Sequence, residues 1–241
     1  MKISVIVPAF NEEKLISGSL HSIRDAMDVF GGRGWADELI VCDNNSTDRT
    51  AELARAAGAT VVFEPVNQIA RARNRGALAA SGDWLVFVDA DSYPSRDLFT
   101  DVADAVQSGK YLFGGATVKL EGDSPLARFG IRIWNAISRT GKFMAGSFIF
   151  CEAAAFREIG GFNERMFAAE EIDLSTRLKA LAREVGKKAI VLSRHPLLTS
   201  DRRLRMHSHR EILSFGMRVI FARRRTFADR NACRSWYDGR R

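Results

Sequence analysis

The sequence predicts an α/β protein built on a mainly parallel sheet flanked by helices. Three observations carry that expectation. Short apolar runs alternate with amphipathic segments through the first ninety residues. The turns between them hold Gly, Ser, Asp and Asn in place of long linkers. One apolar run, Trp84-Leu85-Val86-Phe87-Val88, has no polar alternation at all, as expected of a strand covered on both faces.

Lys2–Val7 reads as the first strand. The helix after it carries Ile16, Leu20, Ile23, Met27 and Phe30, spaced four, three, four and three along one face. Gly31-Gly32-Arg33-Gly34 ends it. Glu38–Cys42 is a second strand, and Ser46-Thr47-Asp48 offers caps for a helix over Ala51–Ala57 that stops at Gly58. Thr60–Phe63 is a third strand, Ile69–Ala80 an alanine-rich helix, and Trp84–Val88 the fourth strand. Strand–helix alternation of this kind predicts parallel pairing. The pattern then loosens. It gives a helix over Arg96–Gln107, a strand over Thr117–Leu120, and a helix with Leu126, Phe129, Ile133, Trp134 and Ile137 as an apolar stripe. A strand over Ser147–Cys151, a helix over Glu170–Val185 and a short strand over Lys188–Leu192 follow. A last helix over Ser208–Arg225 presents Ile212, Phe215, Val219 and Ala222.

A chain of 241 residues is long enough to bury a full core, and 46% hydrophobic with 27% charged residues is a globular composition. No apolar stretch approaches the roughly 18 residues that span a bilayer. Ile3–Phe10 is too short for a leader and runs straight into Glu12-Glu13. Cys42, Cys151 and Cys233 are odd in number and lack metal spacing, so they read as thiols of a reducing, cytoplasmic compartment. The charge is uneven. From Lys187 onward 15 Lys and Arg face 4 Asp and Glu, leaving 21 against 25 in the residues before it. A basic tail on a mildly acidic body implies an anionic partner: phosphates, an anionic membrane surface or nucleic acid. The tail lacks the interleaved aromatics of a stacking platform, which argues against nucleic acid.

Asp89-Ala90-Asp91 closes the fourth strand. Ligands of open α/β sheets bind at such carboxyl ends. Two adjacent carboxylates repel unless positive charge lies between them. A hard divalent cation shared with substrate phosphates supplies it; a solvated turn is the alternative reading.

Several segments in register resemble family 2 glycosyltransferases, the inverting, nucleotide-sugar-dependent enzymes of the GT-A fold. They are Val5-Ile6-Val7-Pro8-Ala9-Phe10-Asn11-Glu12-Glu13, Asp43-Asn44-Asn45-Ser46-Thr47-Asp48-Arg49-Thr50 and Ala70-Arg71-Ala72-Arg73-Asn74-Arg75-Gly76-Ala77. The Asp89–Asp91 turn, Gly160-Gly161-Phe162-Asn163-Glu164 and Glu170-Glu171-Ile172-Asp173-Leu174 complete the set. The resemblance covers residues 1–200. It implies a Rossmann-like nucleotide-binding half over 1–91 and a smaller acceptor half with the base over 92–200, leaving 201–241 as a basic helical tail.

The resemblance also implies roles. Pro8, Ala9, Phe10 and Glu12 would hold the nucleoside, Asp43 the base, and Arg71 the base or phosphates. Asp89 and Ala90 would also line the nucleotide. Asp91, with Asp89 directly or through water, would bind Mn²⁺ or Mg²⁺. Glu171 would be the catalytic base, with Glu170 as the alternative because the family's pair is Glu-Asp, and Asp173 would brace the site. Each residue also has an ordinary reading: Glu12 and Glu13 suit a helix dipole, Asp43 a cap, and Glu170 and Glu171 an acidic first helical turn. Arg73 and Arg75 read as solvated. His195, His207 and His209 are surface histidines or, as some relatives have it, a further metal ligand. Arg202, Arg203 and Arg205 would either clamp a diphosphate or form a membrane-facing patch.

The function implied is non-processive transfer of a sugar from a UDP- or GDP-type donor to a hydroxyl acceptor. A lipid-linked acceptor and peripheral contact at the inner membrane face would suit Leu126–Ile137 and the basic tail. The processive members' Gln-x-x-Arg-Trp motif is absent. Two other readings are a sugar-nucleotide nucleotidyltransferase, which should carry a Gly-rich basic loop after the first strand, and a non-catalytic nucleotide- or anion-binding module.

Overall fold

Alternation decides the packing of the first strand, β1 (Lys2–Ala9). Ile3, Val5 and Val7 point into one apolar layer and Ile6 into the other. The computed structural model describes residues 1–202, so Arg203, Arg205, His207, His209, Cys233 and the expected helix over Ser208–Arg225 lie outside the described residues. Beside β1 run β2 (Ala36–Asp43), β3 (Thr60–Phe63) and β4 (Trp84–Val88), all parallel, in the order β3-β2-β1-β4. The sheet continues through β7 (Phe148–Glu152), β6 (Tyr111–Leu120), β8 (Lys188–Thr199) and β5 (Ser92–Tyr93). In this second half only β6 and β8 are parallel, while β4–β7, β6–β7 and β5–β8 are antiparallel.

Helices α1 (Ile16–Gly31) and α4 (Arg96–Gln107) cover one face with Leu20, Ile23, Phe30, Phe99 and Val102. α2 (Thr50–Ala56) adds Ala54 to that layer. The other face carries α3 (Ile69–Ala79), α6 (Ala153–Glu158) and α7 (Glu170–Glu184), packed through Ala70, Ala77, Phe156, Leu174 and Leu178. α5 (Pro125–Gly141) lies against β6 and β8. Close approach of α3 to the sheet depends on Gly76, where an added Cβ would sit 2.4 Å from Ile6 Cγ2. Gly76→Ala is therefore expected to cost about 1–3 kcal/mol, read by urea denaturation, with Ile6→Ala restoring part of it.

Where the structure departs from expectation, pairing has overruled local pattern. The strand expected over Thr117–Leu120 begins at Tyr111, because Gly114 and Gly115 pair with β7 despite their poor strand propensity. The strand expected to stop at Leu192 runs to Thr199, carried past Pro196 by a β-bulge and by pairing with β5. β5 and α6 are too short to show a period. Of Ser46, Thr47 and Asp48 only Asp48 serves α2, accepting from Thr50 N at 2.9 Å from one residue before the N-cap Arg49, which makes no side-chain bond; Ser46 and Thr47 bind the turn after β1. Cys42 and Cys151 are buried free thiols, and burial pushes both thiol pKa values up, Cys42 to about 12, which leaves them unreactive.

Candidate active site

Register brings the turns together. Pro8 pairs with Cys42 and Ala9 with Asp43, so the segments after β1 and β2 leave the sheet at one level. They are then stitched side by side. Asn11, held at φ 52°, donates its N–H to Ser46 Oγ at 3.0 Å and accepts from Thr47 N at 2.8 Å. Glu12 N donates to Thr50 Oγ1 at 2.7 Å, and Glu13 N to Asp48 Oδ2 at 3.1 Å. α1 begins at Ile16 with no acid in its first turn, and the turn before it is closed by Leu15 N and Ile16 N donating to the Glu12 carbonyl at 3.0 and 2.8 Å. Asp43 is buried and accepts from Ser46 N at 3.1 Å. Asn44 donates its amide to the carbonyls of Glu64 and Val66 and accepts from Gln68 N, fixing the segment that leads into α3.

Arg73 lies at the centre, where the sequence reading put a solvated side chain. Its side chain is 1% exposed. Nη1 donates to Glu170 Oε1 at 2.7 Å, while Nη2 donates to Asp89 Oδ1 at 2.9 Å and to the Gly146 carbonyl at 2.7 Å. Its guanidinium lies 5.2 Å from the Phe162 ring centre. One arginine thus ties the end of β4, the approach to β7 and the start of α7 into one cluster. The signal was present in the sequence. Ala70, Arg73, Gly76 and Ala77 share the buried face of α3, whereas Arg71 and Arg75 do not. Arg71 instead bridges Glu64 at 3.1 Å and Glu164 at 2.9 Å, half-exposed. A cavity of about 450 Å³ opens beyond it, lined by Asn74, Arg75, Arg157 and Gly161 among others, away from the acid cluster.

The two glutamates at the start of α7 differ. Glu170 is buried and locked to Arg73. Glu171 is partly exposed, and a Cβ added at Gly146 would lie 3.5 Å from its Cδ and 3.4 Å from Arg73 Nη2. Burial of its carboxyl, then the negative charge of Glu170, pushes its pKa up to about 8. Ala169, at φ 60°, turns the chain into this helix without a side-chain cap. Asp173 faces elsewhere, pairing with Arg177 at 2.8 Å.

Asp91 is anchored through its backbone, its carbonyl accepting from Ser200 N at 3.0 Å. The end of β8 thereby delivers Arg202 to the acids. Arg202 Nη2 donates to both Glu12 carboxylate oxygens, at 2.9 and 2.6 Å, and lies 4.0 Å from Asp91 Oδ2. His195 is turned away, with Nδ1 2.9 Å from Asp101 of α4. Among the described residues no group of three or more His, Cys, Asp and Glu side chains is placed to hold a metal. The carboxylates of Asp89 and Asp91 still fit a hard cation that takes its other ligands from phosphates and water. The guanidinium between Glu12 and Asp91 marks the same demand for positive charge.

The chain is similar to known proteins across this architecture. Glucosyl-3-phosphoglycerate synthase of Mycobacterium tuberculosis is 41% identical over 105 residues, which are 40% of this chain and 31% of that protein. A crystal structure of that synthase with Mn²⁺, UDP and phosphoglyceric acid superposes with a TM-score of 0.60 at 21% identity, covering 96% of this chain and 78% of the other. A mannosyltransferase from Pyrobaculum calidifontis, in complex with GDP-Man and Mn²⁺, superposes with a TM-score of 0.65 at 18% identity, covering 98% and 73%. These two superpositions support a GT-A fold. The matched stretch is thus about a third of the length of the curated relative. The family model for glycosyl transferase family 2 matches residues 4–159, spanning β1 to the end of α6 and including Asp43, Arg73, Asp89 and Asp91. With the expected motifs in order on the expected sheet, this chain belongs to glycosyl transferase family 2.

Proposed function

We propose that this chain moves a glycosyl group from a nucleotide-diphosphate sugar to a hydroxyl acceptor, with inversion and one transfer per encounter. The observation that carries the reading is the acid cluster around Arg73, which sets Glu171 beside the strand end bearing Asp89 and Asp91. In a single displacement the bond from the sugar's anomeric carbon to the diphosphate breaks as the acceptor oxygen bonds to the opposite face. The acceptor proton passes to the Glu171 carboxylate. A carboxyl poised near neutral pH is matched to that task, because it holds the proton firmly enough to favour its removal from the hydroxyl. Glu170, neutralised by Arg73, positions the start of α7 and leaves proton transfer to its neighbour.

On the donor side, Pro8, Ala9, Phe10, Glu12, Asp43, Asp89, Ala90 and Arg71 surround the nucleotide. Both solved neighbours hold a nucleoside diphosphate or its sugar together with Mn²⁺, which supports a donor of this class. Asp91 and Asp89 would hold Mn²⁺ or Mg²⁺, whose charge stabilises the departing diphosphate. Arg202 Nη1 is buried without a hydrogen-bond partner among the described residues, and a diphosphate oxygen would complete it. Membership of the family removes the support for a nucleotidyltransferase.

A thermal-shift panel of nucleoside diphosphates with and without Mn²⁺ tests the proposal. The expected result is a rise in melting temperature that requires both one base and the metal, reflecting about 2.7 kcal/mol of stabilisation at a hundredfold excess over Kd. Indifference to every nucleotide would leave a non-catalytic module.

A further inference from the structure

The helix α5 is long yet barely buried. Of its 17 residues only Ser138 is fully enclosed, while Leu126, Phe129, Ile133 and Ile137 are 63%, 61%, 48% and 48% exposed. At 3.6 residues per turn these four fall within an arc of about 80°. A contiguous apolar face of this kind on a charged protein marks a surface that something covers. Arg128, Arg132 and Arg139 lie on a neighbouring arc, about 120° round the helix. Lys142 follows at its end; no Asp or Glu occurs between Ser124 and Cys151, and Arg128 meets an acid just before that stretch, the exposed Asp123 at 3.9 Å.

Charge selects the occupant. The chain's own residues after Arg202 carry 11 Arg against 3 Asp and Glu and would be repelled by these arginines, as would the same face of a second copy. A polyanion without apolar groups would leave Phe129 and Ile133 in water. An anionic phospholipid surface satisfies both halves, taking the apolar arc among acyl chains and the guanidinium groups among phosphates.

We propose that α5 is a docking helix for an anionic phospholipid bilayer. Its mounting suits that role. The Asn135 side chain grips β6, accepting from Val118 N at 3.0 Å and donating to Val118 O at 2.9 Å. Lys179 of α7 donates to the Gly141 carbonyl at 2.9 Å, and Met144 N donates to Ser175 Oγ of α7 at 3.1 Å. The lipid-facing helix is thus fastened to the helix that begins with Glu170 and Glu171. Docking would hold the start of α7, with Glu170 and Glu171, near the bilayer surface.

Flotation of the full chain with vesicles tests this, without donor or acceptor, so failure here is separable from failure of the transfer reading. The wild-type chain should float with vesicles of equal parts phosphatidylglycerol and phosphatidylcholine and stay behind with pure phosphatidylcholine. Phe129→Ser with Ile133→Ser should weaken binding at least about tenfold. Arg128→Gln, Arg132→Gln and Arg139→Gln together should weaken it and flatten its salt dependence. All five positions are exposed or half-exposed, and unchanged melting temperature and near-ultraviolet circular dichroism confirm the fold. Undiminished flotation of the serine pair would overturn the proposal. So would a wild-type chain that ignores vesicles but forms a dimer dispersed by the serine pair.

Discussion

Arg73→Met is expected to destabilise the chain by about 3–5 kcal/mol, which lowers the melting temperature by roughly 6–20 °C. The loss comes from what stays behind. Glu170 is 4% exposed, and without the guanidinium its charge is buried with no cation against it. Asp89 and the Gly146 carbonyl lose their donor in the same step. Lysine is no remedy, since a single ammonium on a longer flexible stem cannot hold three acceptors on three elements in the fork geometry. The double variant Arg73→Met with Glu170→Met should recover part of the loss, because it removes the buried Glu170 charge with its partner while Asp89 and the Gly146 carbonyl stay without their donor. Urea denaturation of the two single variants and the pair reads this coupling. Additive costs would mean that the two side chains do not act as a unit.

Glu171→Gln should lower the transfer rate by about 10²–10⁴-fold while donor binding stays at its wild-type level. Wild-type kcat/KM should rise with pH up to about 8, as the carboxyl ionises, and the variant should lose that rise. Stability should move oppositely. The folded chain keeps the Glu171 proton up to about pH 8, and the unfolded chain releases it near 4.5. Folded molecules therefore bind more protons in that window, so this group makes the protein less stable as pH increases through it. Glutamine has no proton to release, so the variant should gain on wild type between those limits and match it below them. Transfer that survives in Glu171→Gln and fails in Glu170→Gln would reverse the two assignments.

The parallel half of the sheet is legible because each strand is a dense apolar run and each helix has a clean period. Trp84–Val88 and Ile16–Phe30 could hardly be read otherwise. The second half is not, since β6 contains Gly114-Gly115 and β8 contains Pro196, residues that local propensity excludes and sheet pairing accepts. Among the site residues, the carboxylates announce themselves at strand ends and at the start of a helix. Arg73 does not, because it stands between two other arginines and its burial depends on which face of α3 meets the sheet. The pairing of Arg202 with Glu12 joins residues 190 positions apart, and nothing local in either segment signals it. The apolar stripe of α5 is readable as a stripe; that it faces outward is knowable only from the packing of α5 on β6.

Asn135 has a consequence beyond fastening α5. β7 pairs with β6 only as far as Gly115, so β6 outruns its neighbour and Val118 would show an uncovered backbone on that side. The amide of Asn135 fills the gap with one donor and one acceptor, standing in for a strand that the described residues do not supply. An apolar ribbon with its peptide groups showing invites a foreign ribbon to add alongside. A single side chain closes that invitation, and so helps keep each molecule apart from its copies.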